Sequence, residues 1–298
     1  MKSCMTNEEC IKKQRIIIYS VLGAIAAALM VVAAFFDMAI NDFMYAPTNF
    51  FGVALEVAGV SPFYWVIIFA GAVFFAYTRL LVKSSWNTIK MILSVAACFV
   101  GQIIFFHQFT KIWFDSSIIY YLVAAGVSVP FTLLLLWGIT RIKEPALKKL
   151  AVFALFSVIV CAISMSIVQG VKTVWGRARY REMFKVDDFS AFSKWFVPYG
   201  FSTEGDHQSF PSGHTASAGA IMVIAALPEF FNILKKHEWL LFCAGLLVTL
   251  SVALSRIIVG AHFLSDVVMA SVISVATYAI VRSIFFKRWK GAIKSIDN

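Results

Sequence analysis

The stretch Ile16–Phe36, IIIYSVLGAIAAALMVVAAFF, runs for 21 positions without a charged residue. An α-helix needs about 20 apolar residues to cross the hydrocarbon core of a bilayer, so this stretch predicts a membrane-spanning helix. It is too long, and too unlike a signal peptide at its end, to be a cleaved leader, so we expect it to remain as the first span. Apolar runs of similar length follow it and predict seven further spans, at 61–79, 90–109, 117–140, 149–170, 213–231, 239–257 and 262–286.

The composition supports the same class of protein. The chain has 298 residues, of which 60% are hydrophobic and only 14% are charged, whereas a soluble domain is usually about half apolar and a quarter charged. We therefore predict an all-α, polytopic membrane bundle of about eight transmembrane helices. Its parts would be an N-terminal tail at 1–15, a transmembrane domain at 16–286 and a basic tail at 287–298.

The distribution of charge orients the chain in the membrane. The two tails and alternate connections are rich in Lys and Arg, whereas the connection at 37–60 has neither. Because basic loops stay on the cytoplasmic side, we expect both termini to be cytoplasmic. The formal charge of +10 is scattered over short loops, with no basic face of the kind that binds nucleic acid. Three of the five cysteines lie within apolar runs, which does not indicate a disulfide framework.

The connection at 171–212 breaks this pattern, because it is predicted to lie on the outer face and yet carries six basic residues. Anion binding would explain these cations. A solvated loop, balanced by its own acidic residues, explains them equally well.

Three polar segments are predicted to meet at this outer surface. KTVWGRAR (172–179) leaves the fifth span, PSGH (211–214) enters the sixth, and SRIIVGAHFLSD (255–266) joins the last two. Polar clusters at membrane depth are costly and usually functional, so the three segments together are a candidate site.

PSGH has the features of a helix start that binds an anion. Ser212 is a good N-cap, and the free backbone N–H groups of Gly213 and His214 would point towards the ligand. His214 could also carry a proton near neutral pH. The alternative for these four residues alone is an ordinary helix start.

His262 and Asp266 are four residues apart, so they share one helix face. A carboxylate there can hold one imidazole nitrogen protonated and leave the other free for nucleophilic attack. A structural polar pair is the alternative. Three cations accompany these groups, which suits the binding of a phosphoryl group: Lys172, Arg179 and Arg256.

The three segments together resemble the type 2 phosphatidic acid phosphatase (PAP2) superfamily, whose pattern is K-x6-RP, then PSGH, then SR-x5-H-x3-D. This chain has Lys172-x6-Arg179, Pro211-Ser-Gly-His214 and Ser255-Arg256-x5-His262-x3-Asp266. Tyr180 stands where the family has proline, which leaves the placement of Arg179 less defined. The resemblance covers about 95 residues and implies a six-helix core, to which this chain would add two spans.

The resemblance implies a role for each matching residue. His262 would attack phosphorus and form a phosphohistidine, Asp266 would orient it, and His214 would protonate the leaving oxygen and then activate water. The phosphate ligands would be Lys172, Arg179, Ser212, Gly213 and Arg256, with Arg177 as a possible substitute and His207 as a possible headgroup contact. No metal and no cofactor would be needed.

The implied function is an integral membrane lipid phosphatase with its site on the extracytoplasmic face. The implied substrates are a phosphomonoester or diphosphate lipid such as undecaprenyl diphosphate, which we favour, phosphatidylglycerol phosphate, phosphatidic acid or a lipid A phosphate. Two alternatives stay open: a phosphotransferase that passes the phosphoryl group to another lipid, and a transporter or scaffold that keeps the motifs without activity.

Overall fold

A computed structural model describes residues 7–110, 112–114 and 116–296, and in these ranges the chain is entirely helical, without strands. This confirms the predicted fold class. Three 3-10 helices cover Gly205–His207, Ala220–Glu229 and Asn232–His237. The α-helices are α1 (Asn7–Met44), α2 (Phe50–Ala58), α3 (Ser61–Thr78), α4 (Ser85–Thr110), α5 (Ser117–Ile139), α6 (Glu144–Trp175), α7 (Tyr180–Val186), α8 (Gly213–Gly219), α9 (Glu238–Ile258) and α10 (Leu264–Ser295).

Seven helical stretches of the described chain are long and apolar enough to cross a membrane. The predicted span at 213–231 is not among them. It forms instead the short helix α8 followed by the 3-10 helix Ala220–Glu229. The seven stretches are Ile11–Met44, Phe50–Thr78, Ser85–Thr110, Ser117–Ile139, Glu144–Val186, Asn232–Ile258 and Leu264–Trp289.

The segment that differs from the prediction lies inside the bundle and not against lipid. Ala218 and Met222 are completely buried, and a Cβ added at Gly219 would collide with Ser274 Oγ on α10. Small residues allow such close helix packing within a membrane. The apolar character of 213–231 therefore reflects burial among the neighbouring helices.

Polar clusters mark the two ends of the bundle. At one end, Arg15 on α1 pairs with Glu238 (Nε–Oε1, 2.7 Å) and Glu229 (3.2 Å), and Arg282 on α10 pairs with the same two carboxylates. At the other end of α1 lies the buried Asp37. With 1.5 Å of rise per residue, Arg15 and Asp37 are roughly 33 Å apart along the helix, which is about the thickness of the hydrocarbon core.

The predicted tails are largely continuous with the first and last helices. Residues of the 1–15 tail are helical from Asn7, and α10 runs on through the 287–298 tail as far as Ser295. Residues 1–6 lie outside the described part of the chain, and with them Cys4. Cys98 and Cys161 are buried, in keeping with the role of small apolar side chains.

The fold predicts that Thr203 and Lys143, which flank opposite ends of the long helix α6, lie on opposite sides of the membrane. We expect an impermeant thiol reagent, applied to intact cells, to label Thr203→Cys and not Lys143→Cys in a cysteine-free background. As a control, both positions should be labelled once the cells are permeabilised. Equal labelling of the two in intact cells would contradict this arrangement.

Candidate active site

A sharp turn after α6 directs the first motif back into the bundle. Gly176 ends the helix in the left-handed conformation (φ 56°), which glycine adopts without steric cost. A Cβ at this position would collide with the carbonyl oxygen of Gly200. The turn places Arg177, the residue that follows Gly176, against Asp37 on α1 and Asp266 at the start of α10.

Arg177 is completely buried and binds two carboxylates at once. Its Nη1 donates to Asp266 Oδ1 (2.6 Å), its Nη2 to Asp37 Oδ2 (2.9 Å) and its Nε to the Ser193 carbonyl (2.9 Å). The guanidinium also lies 4.2 Å from the centroid of the Phe263 ring, which is a cation–π contact. Because these donors are engaged within the protein, the geometry does not agree with the expectation that Arg177 could reach phosphate.

His262 is held by a backbone carbonyl. Its Nδ1 lies 2.7 Å from the Ser209 oxygen and 3.6 Å from Asp266 Oδ2. A carbonyl oxygen only accepts, so Nδ1 carries the proton and Nε2 keeps a free lone pair. Asp266 acts on His262 mainly through the loop, because its Oδ2 accepts from the Phe263 N–H (2.8 Å) and from the Ser209 hydroxyl.

The surroundings of His262 favour its neutral form. It lies in the turn between the spanning stretches Asn232–Ile258 and Leu264–Trp289, and it is only 1% exposed. Burial lowers the pKa of His262 well below its usual value, against the opposing effect of the Asp266 carboxylate. A neutral imidazole with a free nitrogen is the nucleophilic form.

The first and second motifs meet at Lys172, whose side chain is buried and donates to the carbonyl of Gln208. A Cβ added at Gly213 would lie 3.5 Å from Lys172 Cε, so this amine lies directly beside the start of α8. Glycine at this position keeps the space between them open.

The second and third motifs meet at Ser212. Its backbone N–H donates to the Asp266 carbonyl (3.0 Å). Its hydroxyl oxygen accepts from the Thr215 N–H (3.3 Å), so Ser212 is the predicted N-cap of α8. The three motifs, far apart in the sequence, therefore lie at one end of the bundle.

Two arginines of the site have buried donor atoms without a hydrogen bond in the described chain: Nε of Arg179, and Nη1 of Arg256, which has only the carboxylate of Glu56 at 3.3 Å. Arg256 is fixed through its other nitrogens, since Nη2 donates to the Gly52 carbonyl (2.6 Å) and Nε to Ser255 Oγ (3.1 Å). Buried donors are nearly always satisfied in proteins. A donor without a partner on Arg179, and one on Arg256 that meets only the partly exposed Glu56, suit an anionic ligand.

His214 lies at the start of α8 and is partly exposed. It interacts electrostatically with Arg256, Arg179, Lys172 and Glu56. Two of these cations, Lys172 and Arg179, also act on His262. The two histidines therefore share one group of positive charges.

The ring of His207 contacts two residues of the same loop. Its ring is stacked on Tyr199 (centroids 6.3 Å apart), and its Nδ1 lies 3.5 Å from Glu204. A headgroup contact by His207 remains a prediction from the sequence.

Sequence reasoning missed three residues of the site: Asp37, Glu56 and Ser209. Glu56 on α2 lies 3.3 Å from Arg256 Nη1 and 3.4 Å from Arg181 Nη1. Asp37 and Glu56 belong to the connection at 37–60, which has no Lys or Arg, and nothing in their local pattern indicates their partners. Ser209 lies three residues before Ser212, and only the fold shows that its carbonyl faces His262.

The family model described as the PAP2 superfamily matches residues 150–290. No curated protein and no solved structure matches the chain. This match, over just under half of the chain, supports membership of the chain in the PAP2 superfamily. Together with the seven apolar helical stretches, it supports a membrane phosphatase of the PAP2 type.

Glu56 puts a negative charge beside the cations expected to bind phosphate. We expect Glu56→Gln to lower the inhibition constant of inorganic phosphate by about two- to fivefold, because a partly exposed charge pair is worth about 1 kcal/mol or less. Glu144→Gln is the matched control, since Glu144 pairs with Lys148 and lies at the start of α6, away from the motifs. Unchanged or weaker phosphate inhibition in Glu56→Gln would contradict this account.

Proposed function

We propose that this protein is a lipid phosphatase that hydrolyses a phosphomonoester or diphosphate lipid through a phosphohistidine on His262. The observation that carries the proposal is the meeting of two histidines with Lys172, Arg179 and Arg256 at one end of a membrane bundle. The Nε of Arg179 there has no hydrogen-bond partner in the described chain. A site at that depth can take a phosphate whose lipid tail stays in the bilayer.

The first step is attack by His262 Nε2 on phosphorus. The N–P bond forms while the bond from phosphorus to the leaving oxygen breaks, and His214 gives its proton to that oxygen. The Nδ1 proton stays on the ring, held by the Ser209 carbonyl at 2.7 Å. The buried Asp266 stabilises the positive charge that develops on the imidazole, as the carboxylate does in a catalytic triad.

The second step is hydrolysis of the phosphohistidine. His214, now neutral, takes a proton from water as the water oxygen attacks phosphorus. The N–P bond breaks and its electron pair returns to Nε2, so inorganic phosphate leaves and His262 is restored. One residue can serve both steps because it ends the first step in the form that the second requires.

Catalysis of both steps rests on stabilising negative charge. Lys172, Arg179 and Arg256 surround the phosphoryl oxygens, and Ser212 and Gly213 contact them at the start of α8. Preorganised cations in a site shielded from water stabilise such transition states strongly. Under this proposal the cations supply the compensating charge, and no metal is required.

The Lys- and Arg-rich connections support a cytoplasmic location for both termini. The three motifs, at the end of α1 opposite Arg15, would then face the extracytoplasmic side of the cell or inner membrane. This sidedness favours undecaprenyl diphosphate as the substrate, since such a carrier lipid would present its phosphate at that surface.

Phosphate release by the purified protein tests the function. A panel would include undecaprenyl diphosphate, phosphatidylglycerol phosphate, phosphatidic acid and a lipid A phosphate, each in detergent without an acceptor lipid. Release of free phosphate supports hydrolysis. Phosphate transfer seen only after an acceptor lipid is added would favour a phosphotransferase, and inactivity with every lipid would count against both.

His262→Ala removes the proposed nucleophile. We expect turnover to fall by at least ~10³-fold, with loss of the acid-labile, alkali-stable phosphoenzyme after brief incubation with labelled substrate. His237→Ala, in the 3-10 helix Asn232–His237, is the control and should keep wild-type turnover. Near-normal activity of a folded His262→Ala protein would remove this assignment.

His214→Ala removes the proposed acid and base. We expect a loss of about 10²–10⁴-fold with a lipid alkyl phosphate. The loss in the first step should be much smaller with an aryl phosphate, whose leaving oxygen needs no proton. Single-turnover rates with the two substrates measure this difference, and equal losses with both would argue against the role.

A further inference from the structure

Helix α1 lies outside the segment matched by the family, residues 150–290, and yet its end contacts the catalytic loop. The Asn41 side chain donates to the His262 carbonyl (3.3 Å). Four residues earlier, Asp37 is 2% exposed and accepts from the Ser265 N–H (3.1 Å) and hydroxyl. Ser265 immediately precedes Asp266, so α1 is bound to both sides of the loop that carries the nucleophile.

The second partner of Asp37 is Arg177. Its Nη2 binds Asp37, and its Nη1 binds Asp266. All three side chains are almost completely buried. Buried charges of this kind are stable only when they are paired, and removal of one partner leaves the others uncompensated. Asp37 therefore determines how much of the positive charge of Arg177 is directed at Asp266.

We propose that Asp37 is a positioning residue for catalysis: it holds Arg177 so that Asp266 keeps both its place and its effective negative charge beside His262. This inference rests on the proposed function of His262 as the nucleophile. It assigns to α1, one of the helices outside the family segment, a part in the reaction.

Asp37 also affects the net charge beside His262. In the wild type, Asp37, Arg177 and Asp266 sum to one negative charge behind His262, and with Asn at position 37 they sum to zero. A less negative surrounding disfavours the imidazolium, so it lowers the pKa of His262 and weakens stabilisation of the phosphohistidine as it forms. The other titratable or charged groups that face the two histidines are unchanged by the substitution: Lys172, Arg179, Arg256, Glu56 and His214.

The experiment compares pH profiles of kcat and kcat/KM for lipid phosphate hydrolysis by the full-length protein. For Asp37→Asn we expect kcat to fall roughly 10- to 100-fold, as for a small displacement of a reacting group. KM should change little. The acidic limb of kcat/KM, which follows deprotonation of the nucleophile, should move to lower pH by about one unit.

Asp42→Asn is the matched control on the same helix. Asp42 accepts from the Tyr180 hydroxyl (2.8 Å) and touches none of the catalytic groups, so its kcat and acidic limb should stay at wild-type values. Asp37→Glu is the second variant, and it keeps the charge if Asp37→Asn fails to fold. We expect Asp37→Glu to keep the acidic limb at the wild-type pH, with a reduced kcat.

The possible outcomes separate this inference from the proposed function. If the wild-type protein releases no phosphate from any lipid, the function itself fails. If the wild type is active, the inference is overturned by a folded Asp37→Asn protein whose limb is unshifted, because a purely structural loss lowers activity without moving the limb. A shifted limb in Asp37→Glu would also overturn it.

Discussion

The arrangement of the site depends on one buried ion-pair chain, in which Arg177 lies between Asp37 and Asp266. A guanidinium without solvent exposure is tolerable in a membrane bundle only because two carboxylates and a carbonyl take up its donors. These ion pairs join α1, the turn after α6 and the start of α10. It thereby fixes the ends of three helices whose apolar surfaces alone would leave them free to slide.

The contacts that hold these helix ends also hold the groups that are proposed to react. Asp266 accepts from Ser209 and from the backbone of Phe263, and Ser209 in turn orients His262. The proposed nucleophile is therefore supported by backbone and side-chain contacts from the segment just before the second motif. Arg179, whose charge acts on His262, has a buried Nε without a hydrogen-bond partner in the described chain, as expected of a group that binds an anion.

The two ends of the bundle use charge differently. Arg15, Arg282, Glu229 and Glu238 form a group in which each cation meets both carboxylates, and it binds helices together. At the other end, Arg256 meets the partly exposed carboxylate of Glu56, and Arg179 Nε has no hydrogen-bond partner in the described chain. The same residue types therefore stabilise one end of the bundle and form a candidate binding site at the other.

The sequence by itself determined the membrane class, the positions of most helices and the residues of the three motifs, because apolar length and motif spacing are local properties. It wrongly predicted a membrane span at 213–231, since burial among helices and exposure to lipid favour the same apolar residues. Only the tertiary structure decided that Arg177 faces carboxylates, that Ser209 holds His262 and that Asp37 and Glu56 belong to the site. These contacts join residues from 53 to 228 positions apart, and which distant polar groups meet depends on how whole helices pack.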